Sequence, residues 1–251
     1  MKRIALLAGA LLCASAAHAQ TTTAPDEKKW TGEGAFGAGV TTGNTDTIDV
    51  SVALKLAREA KNWKLSTEGG YEFGQTDGID TRNRWYVAGQ YDRDFSPKLF
   101  GFARVSYEED AFSGFDSRLF LGAGLGYKIF DEEKLRWTVD AAPGFRIDDV
   151  SDSIDPGPPE VIIPGGAENN IAVRGGSAFA YDFNDNVGFT NDTSVVWSDV
   201  STQTINTSAL DAQLTKALKA RISFQVRNDT NPPIGFVNTD TATRVSVVYG
   251  F

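Results

Sequence analysis

The sequence contains only one cysteine, one methionine and one histidine, and these are Cys13, Met1 and His18. From residue 20 onward the chain therefore offers no thiol, thioether or imidazole. A chain of this composition cannot form a disulfide, a Cys/His zinc site, or a Ser-His or Cys-His catalytic pair. We predict that the protein is not an enzyme and that it has no metal site and no cofactor.

The sequence also lacks a run of about 18 or more apolar residues, the length that would indicate a membrane-spanning helix. The apolar run at residues 4–12 is shorter, follows Lys2 and Arg3, and leads to Ala17-His18-Ala19. This order predicts a secretory signal peptide. A lipoprotein anchor at Cys13 is the alternative, but Leu12 stands where a small residue is normally found. The predicted segments are residues 1–19 (signal peptide), 20–29 (short periplasmic segment) and 30–251 (folded domain).

Basic residues are too few for a nucleic-acid-binding protein, with 24 Lys and Arg against 33 Asp and Glu. Binding to nucleic acid depends mainly on cationic contacts to phosphate, so we predict no nucleic-acid partner. The mean hydropathy of −0.25 is that of a water-soluble protein. The alternation of apolar and polar residues leads to a different conclusion, that the protein spans a membrane.

From Trp30 onward, apolar and polar residues alternate. In residues 62–74, NWKLSTEGGYEFG, the odd positions carry Trp63, Leu65 and Tyr71 while the even positions carry Lys64 and Glu68. About twelve such segments reach the ~9–11 residues that a tilted strand needs to cross a bilayer. The pattern predicts an all-β, closed antiparallel up-and-down transmembrane β-barrel of about 12 strands. A soluble barrel or sandwich shows the same period and is the alternative.

The connections between these segments alternate between tight and longer stretches. Tight ones include FDEEK (residues 130–134), while longer ones include the stretch of residues 148–169 and SDVSTQT (residues 198–204). Short turns at one end and long loops at the other are typical of outer-membrane barrels whose termini are periplasmic. We therefore predict the outer membrane of a Gram-negative cell as the location, with outer-membrane lipids and the barrel-assembly machinery as partners.

Aromatic residues recur at the ends of the predicted strands, where membrane proteins carry interfacial girdles. The chain finishes on an aromatic residue that alternates with apolar residues, and this ending resembles the signal read by the bacterial barrel-assembly machinery. The predicted assembly signal is Val245, Val247, Tyr249 and Phe251. The predicted girdle residues are Trp30, Trp63, Trp85, Tyr91, Tyr127, Trp137 and Trp197.

Charged residues of both signs fall on the face opposite the apolar one, which would line the lumen. Two interpretations remain open: a polar interior held together by paired charges and water, or a pore whose charges act on small hydrophilic solutes or ions. The lumen candidates are Glu68, Glu72, Arg82, Arg84, Arg104, Asp140, Arg146, Arg174, Asp192, Arg227 and Arg244.

Three further motifs have an ordinary structural explanation. The G-x-G-x-x-G spacing of Gly32, Gly34 and Gly37 lies within a predicted strand with no helix after it, so a nucleotide loop is not indicated. The acidic loop at residues 148–155 lacks EF-hand spacing and is expected to be solvated. A hydrolase built from carboxylates such as Glu108 and Asp110 is conceivable, but nothing else in the sequence supports it.

Five stretches resemble an uncharacterised outer-membrane family labelled salt-induced outer-membrane protein and classed as a domain of unknown function. They are Trp30-Thr31-Gly32, residues 42–47, residues 91–118, residues 122–129 and Tyr249-Gly250-Phe251. The resemblance implies an outer-membrane barrel and brings no catalytic or binding residues. We expect a porin-like passive channel or an envelope protein responding to salt or osmotic conditions. The alternative is a non-conducting structural or ligand-binding barrel with a plugged polar lumen.

Overall fold

The computed structural model describes residues 30–42, 47–76, 79–155, 157 and 161–251. The predicted signal peptide, the predicted periplasmic segment and residues 43–46 of the first loop lie outside this part of the chain. The described residues contain no helix that is both long and apolar enough to span a membrane.

Within the described ranges the chain forms fourteen strands. They are β1 (Trp30–Thr42), β2 (Thr47–Ala60), β3 (Trp63–Thr76), β4 (Ile79–Asp94), β5 (Leu99–Asp110), β6 (Phe115–Asp131), β7 (Leu135–Val150), β8 (Ser153–Asp155), β9 (Val161–Ile163), β10 (Gly166–Asn184), β11 (Val187–Ser198), β12 (Thr202–Gln213), β13 (Leu218–Asp229) and β14 (Thr239–Gly250).

Twelve of these strands close into one antiparallel barrel, in the order β1-β14-β13-β12-β11-β10-β7-β6-β5-β4-β3-β2. Chain neighbours are paired throughout, with β8 and β9 forming a separate hairpin between β7 and β10. Closure brings β14 back to β1, where Tyr249 pairs with Gly34. The predicted up-and-down barrel of about twelve strands is confirmed.

The two ends of the barrel differ in their connections, but less regularly than the sequence predicts. One end, the short-turn end, carries turns of two to four residues and the two ends of the barrel chain. The other, the long-loop end, carries residues 151–165 and 230–238. The expectation of a long loop between β11 and β12 is wrong, because pairing of Trp197 with Thr202 leaves only residues 199–201. The stretch at residues 148–169 is also shorter as a loop, since β7 extends to Val150 and β10 begins at Gly166.

The outer wall is apolar and exposed. Phe36, Leu121, Phe145 and Ile171 have 63%, 56%, 61% and 72% of their surface exposed. Alternate positions point inward, where charged residues such as Glu72 and Arg84 are 6% exposed. A soluble barrel would bury the first set and expose the second. This inverted distribution is that of a transmembrane β-barrel, in which lipid covers the apolar face.

Glycines allow close approach at β6 and β7. A Cβ at Gly124 would collide with the backbone carbonyl oxygen of Ala141, whereas a Cβ at Gly34 of β1 would have no atom within 4 Å. Pro143 stands opposite Ala123 in the same stretch, where the β6–β7 ladder is interrupted because proline has no N–H to donate.

Candidate functional site

The long-loop end of the lumen holds a network of ion-paired side chains contributed by seven strands. All of its charged side chains are buried, with 1–15% of each side chain exposed. We call it the loop-end network, and it consists of Glu72, Arg82, Arg84, Glu108, Arg118, Arg146, Asp148, Arg227, Asp229 and Arg244.

Two carboxylates organise one half of the network. Glu72 accepts hydrogen bonds from Arg84 at 3.2 Å, Arg82 at 3.1 Å and Arg244 at 2.8 Å. Glu108 accepts one from Arg84 Nη2 at 2.7 Å. Because Arg84 donates to both carboxylates, the two groups form one continuous unit. Hydrogen bonds to charged partners of this kind are shorter and stronger than neutral ones.

The network reaches across the lumen. Glu108 on β5 accepts a 2.8 Å hydrogen bond from Arg227 on β13. These strands lie six positions apart around the twelve-stranded barrel, so the pair joins opposite walls. Arg118 on β6 also spans the interior to Asp229 on β13, at 2.7 Å. Ion pairs therefore cross the lumen at this level.

A turn at the long-loop end contributes to the other half of the network. Arg146 pairs with Asp148 at 2.7 Å and donates to Ser201 Oγ at 2.7 Å, and Ser201 lies between β11 and β12. Asp148 is 1% exposed, and its second oxygen lies 3.7 Å from Arg118 Nε. The Arg118 guanidinium in turn lies 3.4 Å above the ring of Phe115. Each cation therefore has an anionic or aromatic partner.

The middle of the lumen and its short-turn end are less crowded. Arg104 pairs with Glu68 at 2.9 Å, and their side chains are 20% and 33% exposed. Arg174 pairs with Asp140 on the neighbouring strand. Asp192 is exposed on the inward face. Solvent therefore reaches Glu68, Arg104 and Asp192, whereas Arg174 and Asp140, with 11% and 15% of their side chains exposed, are covered as much as the loop-end network.

Eleven lumen candidates were named from the sequence, and the structure places all of them on the inward face. Glu72, Arg82, Arg84, Arg146, Arg227 and Arg244 meet in the loop-end network. The other five do not join it and lie nearer the short-turn end: Glu68, Arg104, Asp140, Arg174 and Asp192. Sequence reasoning missed four members of the network as lumen residues, although their parity on the strands already favoured the inward face: Glu108, Arg118, Asp148 and Asp229.

An aromatic wall inside the lumen was also missed. Phe100, Phe102 and Phe120 face inward and are only 5–6% exposed. The ring of Phe100 lies over Gly126, and the ring of Phe120 lies over Gly122. The glycine beside each ring, opposite Phe100 and two residues along β6 from Phe120, leaves the space that the ring fills. The aromatic wall could have been detected in the sequence, because residues 99–105, LFGFARV, carry apolar residues at both odd and even positions.

A small cavity opens at the long-loop end, above the network. It is lined by Arg118 and Arg227 of the network, by Phe115, and by the loop residues Pro232 and Val237. Asp110, Asp229 and Asp240 also line it, so the cavity combines guanidinium and carboxylate groups with a few apolar side chains.

Aromatic girdle candidates lie on the outer wall. Trp30 and Trp197 are 53% and 52% exposed, and Trp85 is 38% exposed. Trp63 stacks on Tyr91 with ring centroids 6.1 Å apart. Trp137 instead is partly covered and donates its indole N–H to Ser177 at 3.1 Å. Tyr127, on β6, is 45% exposed.

The chain ending pairs with the first strand. The amide of Phe251 donates to the Gly32 carbonyl at 3.0 Å, and the Gly32 amide donates to the Phe251 carbonyl at 2.8 Å. Val245, Val247 and Tyr249 are 63%, 51% and 52% exposed on the outer wall. The final residue thus belongs to the barrel seam.

Glu108 and Asp110, the carboxylates considered for a hydrolase, both lie beside an arginine. Glu108 is held by two arginines and Asp110 lies 3.9 Å from Arg84 Nε, which is the arrangement of a charge network and not of a free general base. Within the described ranges, no three His, Cys, Asp or Glu side chains are placed to hold a metal ion.

Comparison with known proteins identifies the family and the fold. The model of the family described as "Protein of unknown function, DUF481" matches residues 34–251. None of the curated proteins compared matches the chain.

Among solved structures, the translocator domain of the autotransporter NalP from Neisseria meningitidis has a TM-score of 0.52 and 10% identity, covering 90% of each chain. The COG4313 outer membrane channel from Pseudomonas putida F1 has a TM-score of 0.50 and 11% identity, covering 92% of this chain and 100% of the other. The KdgM porin in complex with disordered oligogalacturonate has a TM-score of 0.48 and 13% identity, covering 87% and 99%. The first two matches, at 10% and 11% identity, show the fold alone, which is that of an outer-membrane β-barrel.

Proposed function

The chain belongs to the DUF481 family of proteins of unknown function, and we propose that it is a passive outer-membrane channel whose lumen is constricted by the loop-end network. The observation that carries the proposal is the ion pair between Glu108 and Arg227, which joins opposite walls at 2.8 Å. Nearer the short-turn end some lumen charges are accessible to solvent, among them Arg104 and Glu68, with 20% and 33% of their side chains exposed. The network is the constriction that a permeating ion has to pass.

Small hydrophilic solutes and ions are the cargo that suits this lumen. Charges of both signs remain accessible, including Lys55, with 55% of its side chain exposed, and Asp192. Rings of charged side chains at a narrow point select among ions by their sign. The packed wall around Phe100 and Phe102 narrows the lumen further, so large solutes are not expected to pass through it.

Single-channel conductance of the refolded protein in a planar bilayer, in dilute and in concentrated salt, tests this function. We expect small ion-selective openings for the wild type. The double variant Glu108→Gln, Arg227→Gln removes both charges of the crossing pair and should give openings of larger conductance. The matched control is Arg136→Gln, Asp182→Asn, because that pair has 48% and 41% of its side chains exposed at the short-turn end. The control should conduct like the wild type.

A non-conducting barrel is the second candidate, and the burial of the network favours it. Its side chains are no more than 15% exposed, as expected of a permanent plug. Silence from both the wild type and the double variant, with each shown to be a heat-modifiable folded barrel, would replace the channel by this candidate.

Location and export are part of the same proposal. We propose that the protein resides in the outer membrane of a Gram-negative cell, with the long-loop end outside, after removal of residues 1–19 and insertion by the barrel-assembly machinery. The exposed apolar wall supports this location, because it needs lipid to cover it. Mass spectrometry of protein from the outer-membrane fraction should give an N-terminus at Gln20.

A role under salt or osmotic stress rests on the family resemblance alone. Buried ion pairs are screened by salt much less than exposed ones, so the network should persist at high ionic strength. Measurement of protein level and of growth of a deletion strain over a range of salt concentrations tests this role. Equal levels and equal growth at every concentration would remove it.

A further inference from the structure

A group of polar side chains interrupts the apolar outer wall at β10, β11 and β12. We call it the mid-wall patch, and it consists of Ser177, Asn191, Thr193, Asn206 and Ser208. Alternation places these residues on the outward face, since Trp197 and Leu210 at the same parity of β11 and β12 are 52% and 43% exposed.

The patch lies at mid-height of the barrel. Asn191 and Thr193 are the fifth and seventh residues of the 12-residue strand β11. Asn206 and Ser208 hold the same places in the 12-residue strand β12. The register sets Asn191 opposite Ser208 and Thr193 opposite Asn206. All four therefore lie at the level of the membrane centre in a barrel that spans a bilayer.

Hydrogen bonds join the patch into one unit. Asn191 Nδ2 donates to Ser208 Oγ at 2.8 Å and to Asn206 Oδ1 at 3.3 Å. Asn206 Nδ2 donates to Thr193 Oγ1 at 2.7 Å and to Asn191 Oδ1 at 3.3 Å. Ser177, opposite Thr193 on β10, accepts from the Trp137 indole at 3.1 Å. The amides are thereby held in fixed positions on the wall.

The rest of the outer wall is mainly apolar, with Val87, Val105 and Leu121 47%, 45% and 56% exposed, and its polar residues are single threonines such as Thr67 and Thr243. Hydrocarbon offers no hydrogen-bond donor or acceptor, so amide and hydroxyl groups facing it are disfavoured even when they bond partly to one another. A protein surface that also carries donors and acceptors at this depth would be a better neighbour than lipid for the patch.

We propose that the mid-wall patch is the contact surface between two copies of this chain in the membrane. Both N–H groups of each amide are used within the patch, whereas Ser208 only accepts there and Asn206 Oδ1 accepts a single hydrogen bond. In two copies related by a two-fold axis, each Ser208 hydroxyl can therefore donate to Asn206 Oδ1 of the other copy. The small side chains of Ser177, Thr193 and Ser208 let two walls approach closely, as small and polar residues do between membrane-spanning segments. Another copy is the one partner certain to present this chemistry at this depth.

The inference rests on the proposed membrane location but not on conduction. A barrel that is absent from the outer-membrane fraction would contradict the location, whereas a correctly located barrel without self-association would contradict only this inference. Channel recordings do not enter the test.

Disulfide crosslinking in outer membranes tests the contact, in a Cys13→Ser background that leaves the chain without cysteine. Ser208→Cys and Thr193→Cys are introduced singly, and Val87→Cys on β4, six strand positions from β12, is the matched control. We expect an oxidant to convert most of at least one patch variant to a covalent dimer of this chain and to leave the control monomeric. Equal yields from all three variants, a product with another protein, or no product would overturn the proposal.

Native mass spectrometry in mild detergent provides a second measurement. The double variant Asn191→Leu, Asn206→Leu keeps an apolar wall that lipid accepts, so the barrel should still fold, and its dimer should dissociate at a protein concentration at least tenfold higher than the wild type. Thr67→Leu, an exposed outward position on β3, is the control and should dimerise like the wild type. An unchanged dimer in the double variant, or a monomeric wild type, would overturn the proposal.

Discussion

Removing the carboxylate of Glu108 should destabilise the barrel strongly, because this group pairs two arginines inside the lumen. Glu108→Gln keeps the size of the side chain and removes its charge. It leaves Arg84 and Arg227 in place, with side chains only 7% and 15% exposed. A guanidinium that loses a partner where little solvent reaches it depends on its remaining partners for stabilisation.

The size of the effect follows from the remaining contacts. Loss of one partner of a buried pair costs about 3–5 kcal/mol of unfolding free energy. Arg84 keeps Glu72 at 3.2 Å and Asp110 at 3.9 Å, so the lower end of that range, about 3 kcal/mol, is expected. The exposed pair of Arg136 and Asp182 provides the control, since such pairs contribute roughly 0–1 kcal/mol.

Equilibrium unfolding in urea from phospholipid vesicles, followed by the fluorescence of the five tryptophans, measures the difference. Glu108→Gln should lower the unfolding free energy by several times the change caused by Asp182→Asn. Equal, small changes in both variants would refute the reasoning, because they would mean that water already solvates the loop-end network.

Three other perturbations address the wall and the seam. Gly124→Ala should cost roughly 1–3 kcal/mol by overpacking against the carbonyl of Ala141, while Gly34→Ala, with open space around it, should cost less than about 0.5 kcal/mol in the same urea titration. Leu121→Arg, 56% exposed on the outer wall, should cost about 2–4 kcal/mol if it lies at mid-bilayer, and a neutral result would contradict the lipid-facing assignment. Deletion of residues 249–251 removes the hydrogen bonds that close the seam and should abolish heat-modifiable barrel in the outer membrane, whereas normal assembly would contradict the assigned role of the chain ending.

The barrel could be predicted from the sequence because inward-facing and outward-facing residues alternate along each strand with a period of two. Leu121 and Phe120 are neighbours in the chain, yet one is 56% and the other 5% exposed, as alternation requires. Strand number followed from counting segments, and closure followed from the need to leave no unpaired edge in lipid. None of these steps depends on which strands lie opposite each other.

The ion pairs could not be predicted, because they depend on register and on the closed circumference. Arg227 and Glu108 are 119 residues apart in sequence and meet only because β13 and β5 are opposite each other. The ends of the strands could not be predicted either. Backbone pairing continues to Trp197 and Thr202 and shortens a stretch whose composition is that of a loop. Local sequence carries no information about a partner on the far wall.

Alternation itself fails at two places, and they are informative for opposite reasons. Apolar Phe100 and Phe102 face the lumen that holds the charged side chains, and polar Asn191 and Asn206 face a wall that is mainly apolar. The inward exception is resolved within the chain, because glycines on β6 leave room for an aromatic ring such as that of Phe100. The outward exception has no such resolution within one barrel, since its amides bond to one another but still face the membrane centre. A departure from the folding pattern that the chain does not itself cover is where a partner is expected, which is why the mid-wall patch, and not the aromatic wall, is assigned to contact with a second copy.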